Sequence, residues 1–293
     1  MPQEQPGILA PLPAFARQLF FELNDAELAG DYLPRLAEIA DGDRVVVGVG
    51  ASLTGALGAH VAGLDCFPAL AGPGVDIPST PTALWCWLRG GEPGELFHRG
   101  RALEALLAPA FTLTQAVGLF RYGSGLDLTG YEDGTENPEG DEAREAAIVG
   151  GTGDPLAGSS FVAVQQWLHD FEHFESLAPS AQDDMIGRRR SDNEELDDAP
   201  SSAHVKRTAQ EDFEPPAFMF RRSMPWTEGD AGGLMFVAFG RSFYAFDAAM
   251  RRMAGLEDGV ADALFAFSRP LTGAYFWCPP LRDGRLDLAA LGL

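Results

Sequence analysis

Basic residues are scarce in this chain: 21 lysines and arginines stand against 43 aspartates and glutamates, a formal net charge of −22. A field of that sign repels phosphate backbones and anionic headgroups, which excludes nucleic acid and membrane surfaces as partners. Cysteine is scarcer still. The three present, Cys66, Cys86 and Cys278, are odd in number, far apart and part of no CxxC or Cys/His spacing. That argues against a disulfide framework or a zinc site and predicts buried, reduced thiols. No apolar run is long enough to cross a bilayer, and the proline-bearing stretch from Met1 to Ala16 has no cationic segment ahead of an apolar core. A secretion signal is therefore not expected, and with free thiols the expected location is the cytoplasm. Phosphate-binding loops are missing too: Gly48-Val49-Gly50-Ala51-Ser52-Leu53-Thr54-Gly55 has neither the lysine of GxxxxGK(S/T) nor the spacing of GxGxxG, so it reads as a turn.

What the chain does have is core material: 293 residues, 46% of them hydrophobic, suffice for one large or two modest domains with room for a sizeable cofactor pocket. An apolar arm over residues 5–23 leads into helical spacing over 25–40, where Leu28, Leu33, Leu36 and Ile39 recur. Residues 44–50 and 83–89 read as strands, 63–82 as a loop, 95–107 as a helix and 112–122 as a returning strand, an order of β-α-β-β-α-β. The second half repeats it: a strand over 159–169, short helices over 170–177 and 180–189, strands over 218–223 and 233–240, helices over 243–253 and 258–267, and a closing strand over 272–277. Two such units permit a duplicated ferredoxin-like α+β architecture, with antiparallel sheets meeting across a core and helices outside. The expected division is 1–125 for the first half, 126–158 for a linking segment and 159–293 for the second half.

The stretch that resists assignment to helix or strand is Gly130-Tyr131-Glu132-Asp133-Gly134-Thr135-Glu136-Asn137-Pro138. Its glycines allow positive φ and close approach to a ligand, and Pro138 stops any regular element. Asp133 is thereby offered on a loop, which by itself describes a surface turn as well as a site. Its candidate partners are His204, in Ser201-Ser202-Ala203-His204-Val205-Lys206-Arg207-Thr208, and Arg221, in Phe220-Arg221-Arg222-Ser223-Met224-Pro225. With these in order the chain resembles the dye-decolorizing peroxidases. In those haem proteins a glycine-x-x-aspartate-glycine loop lies on the distal side. A histidine some seventy residues later is the proximal iron ligand, and an arginine fewer than twenty residues beyond it returns to the distal pocket. Gly134-Thr135-Glu136-Asn137-Pro138 and Arg221-x-Ser223-x-Pro225 are most similar to the short bacterial subgroup without a secretion signal. The resemblance runs from residues 85–102 to the last strand near 272–280, and it implies the duplicated ferredoxin-like (dimeric α+β barrel) fold directly.

It also implies a cytoplasmic haem b peroxidase that uses hydrogen peroxide to oxidise phenolic, dye-like or porphyrinogen donors by single electrons. Asp133 then moves the peroxide proton, Arg221 stabilises the charge that builds as the O–O bond breaks, and Ser223 holds a water or donates a hydrogen bond. His204 is the metal ligand and Asp262 the carboxylate behind it, while Gly134, Glu136 and Arg207 hold the cofactor, Arg207 through a propionate. Cys278, beside Pro279, is set aside as a thiolate ligand because Tyr275-Phe276-Trp277-Cys278 reads as a core strand. His169 and His173 are four apart but not in an HExxH order, and no metal site is expected there; His60 and His98 have no partner pattern. Residues 188–198 mix arginines with acids and read as a solvated loop. Trp167, Trp226, Trp277, Tyr244 and Tyr275 read as packing, with no radical site assigned. The family implies a homo-oligomer, and residues 286–293 show no evident tag that would mark cargo of a protein shell. Two rivals stay open: a non-catalytic haem-handling protein with the same pocket, and a cofactor-free α+β domain that binds another small molecule.

Overall fold

A computed structural model of the chain describes residues 2–151 and 153–293. The first half runs β1 (Phe15–Leu23), α1 (Ala26–Ile39), β2 (Val45–Val49), α2 (Ala51–Ala56), a hairpin of β3 (Leu70–Gly72) and β4 (Val75–Ile77), β5 (Leu84–Gly90), α3 (Pro93–Leu107) and β6 (Phe111–Phe120). Asp25 caps α1 by accepting from the amides of Glu27 and Leu28, and Glu92 caps α3 ahead of Pro93 in its first turn. After α4 (Gly140–Ala147) come β7 (Ser160–His169), α5 (Phe171–Ser176), α6 (Pro179–Ile186), α7 (His204–Thr208), β8 (Phe220–Arg221), β9 (Met224–Glu228) and β10 (Ala231–Gly240). The chain closes with α8 (Tyr244–Met253), β11 (Ser268–Pro270), β12 (Ala274–Cys278) and a hairpin of β13 (Leu281–Arg282) and β14 (Arg285–Leu286).

The main sheet has the order β6-β1-β5-β2-β12-β7-β10-β8, so each half contributes four strands in which the first lies between the fourth and the third. Every pairing is antiparallel, and the halves join through one ladder pair, Trp277 opposite Val49. Buried Gln5 reinforces that seam: its amide nitrogen donates to the Val47 carbonyl at 2.8 Å and the Pro279 carbonyl at 3.0 Å, and its oxygen accepts from the Val47 amide at 2.8 Å.

Strand alternation sorts side chains into two layers. Phe20, Trp85 and Trp87 point inward to meet Val164, Val237, Phe239 and Phe276 of the other half, with the Trp85 ring 5.9 Å from Phe276. Leu19, Phe21, Cys86 and Leu88 point outward under α1 and α3, as Ala163, Ala238 and Tyr275 do under α8. The sheets therefore meet across a shared core with helices outside, as the α+β expectation required.

Four local expectations are corrected. Residues 258–267 are not a helix: Gly255 and Gly259 take φ of 71° and 80°, which breaks the turn pattern, and only the 3-10 turn Ala263–Ala266 forms. The expected turn after Gly50 is α2; a Cβ on Gly50 would lie 2.0 Å from the Thr82 carbonyl oxygen, so the glycine serves packing. The expected loop over 63–82 contains β3 and β4. Cys66 is exposed, whereas burial pushes the Cys86 thiol up to about 12 and the Cys278 thiol up as well.

Candidate active site

His204 opens α7 immediately after the loop over 188–203. Its Nδ1 lies 2.8 Å from Oδ2 of Asp262, whose side chain is wholly buried and whose Oδ1 accepts from the Leu264 amide at 2.8 Å. A carboxylate there selects the tautomer with the proton on Nδ1 and leaves the Nε2 lone pair for a metal. The turn that replaced the expected helix is what aims Asp262: it caps the 3-10 segment with one oxygen and meets the histidine with the other. α7 is anchored by Arg207, which forms two parallel bonds to Asp258 at 2.8 and 2.9 Å and one to the Arg252 carbonyl at 2.6 Å. The Arg207 guanidinium holds the exposed Asp258 carboxyl down at about 2.

His204 lines one cavity together with Asp133 and Arg221. Its walls are mainly apolar, including Phe236, Phe246, Met250, Met253 and Phe267. The loop carrying Asp133 is held by two amide side chains. Asn137 accepts from the Arg221 amide at 2.8 Å and donates to the Arg221 carbonyl at 3.1 Å, and Gln210 donates to the Glu136 carbonyl at 2.8 Å while accepting from the Met219 amide at 2.9 Å. Gly134, at φ 84°, admits this turn; a Cβ there would lie 2.8 Å from Nδ2 of Asn137. The loop over 188–198 is not merely solvated: Arg188 pairs with Glu136 at 2.5 Å, and Asn193 donates to Glu132 at 3.0 Å and Thr135 at 2.9 Å. It buttresses the Asp133 loop from outside.

The chemistry of the lining thus suits a largely apolar macrocycle with a metal at its centre. It offers an imidazole nitrogen with a carboxylate behind it, aromatic and thioether walls, and a carboxylate and a guanidinium in the same chamber. The Nε of Arg221 is buried without a hydrogen-bond partner among the described residues, a donor kept for something other than protein.

Not every expected site residue reaches this cavity. Ser223 is buried in a smaller recess that it shares with Asp133, and its Oγ is 3.4 Å from the Val237 amide. Gly134 and Glu136 are absent from the lining, Glu136 being turned to Arg188. Arg207, expected at a propionate, is buried against Asp258 instead.

The residues that sequence reasoning missed are Asp127, His169 and Ser268. His169 is buried in the cavity wall with Nδ1 2.7 Å from Ser268 Oγ and Nε2 3.0 Å from Asp127 Oδ2. Burial opposes ionisation of Asp127, yet hydrogen bonds from His169 and Thr129 keep its carboxyl below the ordinary value. Period-two alternation along β7, from Trp167 to His169, was the available signal; both line the cavity, whereas His173 is exposed on α5.

Fold and site together define a duplicated α+β protein built around a chamber lined by a histidine that a buried carboxylate backs. Residues 125–283 match the family model for the C-terminal part of Dyp-type peroxidases. The dye-decolorizing peroxidase of Mycobacterium tuberculosis is 33% identical over 246 residues, spanning 81% of this chain and 73% of that protein. Among solved structures, a DypB variant of Rhodococcus jostii in complex with heme superposes with a TM-score of 0.84 at 29% identity, covering 93% of this chain and 94% of that one. The encapsulated DyP-type peroxidase of Mycobacterium smegmatis does so with a TM-score of 0.87 at 28% identity, covering 96% of each. The chain belongs to the DyP-type peroxidases, a family of haem enzymes, and has their ferredoxin-like α+β fold.

Proposed function

We propose that this peroxidase holds haem b through Nε2 of His204 and uses hydrogen peroxide to oxidise phenolic, dye-like or porphyrinogen donors in one-electron steps. The observation that carries the reading is the His204–Asp262 pair opening on the chamber that also contains Asp133 and Arg221. When bound, haem b supplies a redox-active iron that takes two oxidising equivalents from peroxide and returns them singly. The chain's own residues do the rest. Asp133 accepts the proton of the inner peroxide oxygen and passes it to the outer one, so that water departs. Arg221, always cationic, stabilises the charge that gathers on the departing oxygen, and Asn137 fixes its backbone relative to the Asp133 loop. Asp262 makes the His204 ring a stronger donor to the metal. Among the described residues no helix is long and apolar enough to cross a membrane; we place the enzyme in the cytoplasm as a homo-oligomer, on the family resemblance.

The test is the visible spectrum of protein with stoichiometric haemin, before and after one equivalent of peroxide. Wild type is expected to give a histidine-ligated ferric spectrum that shifts rapidly with peroxide, and His204→Ala to lose the ligation. Asp133→Asn and Arg221→Leu should keep the ferric spectrum but slow the shift by about 10²–10⁴-fold for the loss of a positioned acid–base or electrostatic group. Full-speed shifts in both variants would sink the assigned roles.

A further inference from the structure

We propose that His169 is a positioning residue: through Asp127 it pins the hairpin that delivers Asp133 to the main sheet, and so sets where that carboxylate stands in the chamber. The inference deepens the reading of Asp133 as the group that moves the peroxide proton, and rests on it. Residues 125–133 form a short hairpin. The Asp127 amide donates to the Tyr131 carbonyl at 2.8 Å, Leu126 bridges Glu132, and the Asp133 amide closes on the Gly125 carbonyl at 3.4 Å. Asp127 begins the turn, where one carboxylate oxygen accepts from the Thr129 amide at 2.8 Å and the Thr129 hydroxyl at 2.6 Å. The other oxygen is 3.0 Å from Nε2 of His169. An ionised carboxylate only accepts, so Nε2 carries the hydrogen, and the hairpin is bonded to a side chain that belongs to β7.

His169 is itself firmly held. It stands opposite Ser268 in the β7–β11 ladder with Nδ1 2.7 Å from the hydroxyl oxygen, and the rings of Phe171 and Phe267 lie 5.7 and 5.9 Å from its own. Both ring nitrogens are engaged, which leaves His204 as the chamber histidine with a nitrogen to offer a metal. Asp127 is equally committed. It accepts one bond from His169 and two from Thr129, which makes it an anchor and not a carrier of protons. The far side of the loop has its own pin, because Asn137 is bonded to the backbone of Arg221 on β8. Asp133 thus stands between two anchors, and displacing a reacting group by about 1 Å can cost ~10²-fold in rate. The Tyr131 hydroxyl, donating to Asp183 at 2.5 Å, is a further tie that keeps the hairpin attached, though looser, once His169 is removed.

The test follows three variants by two readouts. His169→Leu removes the donor, His169→Gln replaces it with an amide N–H, and Ser268→Ala removes only the bond behind the ring. Hydrogen exchange over residues 125–133 is followed by mass spectrometry on the ferric holoenzyme, and the peroxide-dependent spectral shift on the same sample. In His169→Leu exchange should be about tenfold faster or more, the equivalent of one hydrogen bond to a charged group. The shift should be about 10–100-fold slower at an unchanged ferric spectrum. His169→Gln should recover most of both, and Ser268→Ala should move both in the same direction by less. A residue that merely fills the wall would leave the peroxide step alone. Unchanged exchange in His169→Leu, equal behaviour of the leucine and glutamine variants, or a full-speed shift in loaded His169→Leu therefore overturns the assignment. Should His169→Leu fail to fold, Ser268→Ala with both readouts at wild-type values overturns it equally. A wild type without a histidine-ligated ferric spectrum but with the exchange difference intact overturns the haem reading instead and leaves the pin standing.

Discussion

His204 depends on a single buried carboxylate, and that dependence is measurable. In Asp262→Ala the imidazole loses its acceptor and the Leu264 amide loses its cap. Transfer of haem to an apoglobin should then be about 10–100-fold faster, the range for removing a metal ligand's hydrogen-bond partner; an unchanged rate would show that Asp262 serves the turn alone. Asp258 offers a test in pH. Its carboxyl, held by Arg207 at about 2 against an ordinary 3.8, is depressed on folding. Its contribution is therefore complete above about pH 4 and is lost as pH falls toward 2. The melting-temperature difference between wild type and Asp258→Asn should be constant from pH 7 to about 4 and shrink below it. A difference that grows on acidification would contradict the assignment.

At the level of elements, the Asp133 loop and β8 behave as one unit because Asn137 completes both the amide and the carbonyl of Arg221. Asn137→Ala leaves those groups unpaired, which should cost about 1–3 kcal/mol in chemical denaturation and slow the peroxide-dependent spectral shift. Unaltered stability would mean that water replaces the amide at no loss. The order of strands and helices was legible because alternation and helical spacing are local, and the glycine-flanked Asp133 loop was legible because no regular element accommodates it. The Asp127–His169–Ser268 chain was not, since it joins residues 42 and 99 positions apart and exists only once β7 and β11 are in register. Arg207 misled for a related reason: closeness to His204 in sequence does not tell which anion an arginine meets, and the left-handed glycines that swing Asp258 toward it interrupt a stretch that otherwise scans as helix.

Across the whole molecule, the inner layer belongs to neither half. Trp85 and Trp87 of β5 are covered by Phe239 of β10, and Trp85 also by Phe276 of β12. Residues 1–125, proposed as one structural half, should on their own lack a cooperative thermal transition, and the full chain should show one; independent folding of that half, seen by circular dichroism, would refute the shared core. The Gln5 seam carries a further consequence. Gln5 leaves the ribosome 274 residues ahead of Pro279, the carbonyl its side chain must find. At ~5–20 residues per second that gap lasts roughly 15–55 s. Gln5 is thus made well before the carbonyl it must find, and this rivet between the two sheets cannot close until Pro279 has been made.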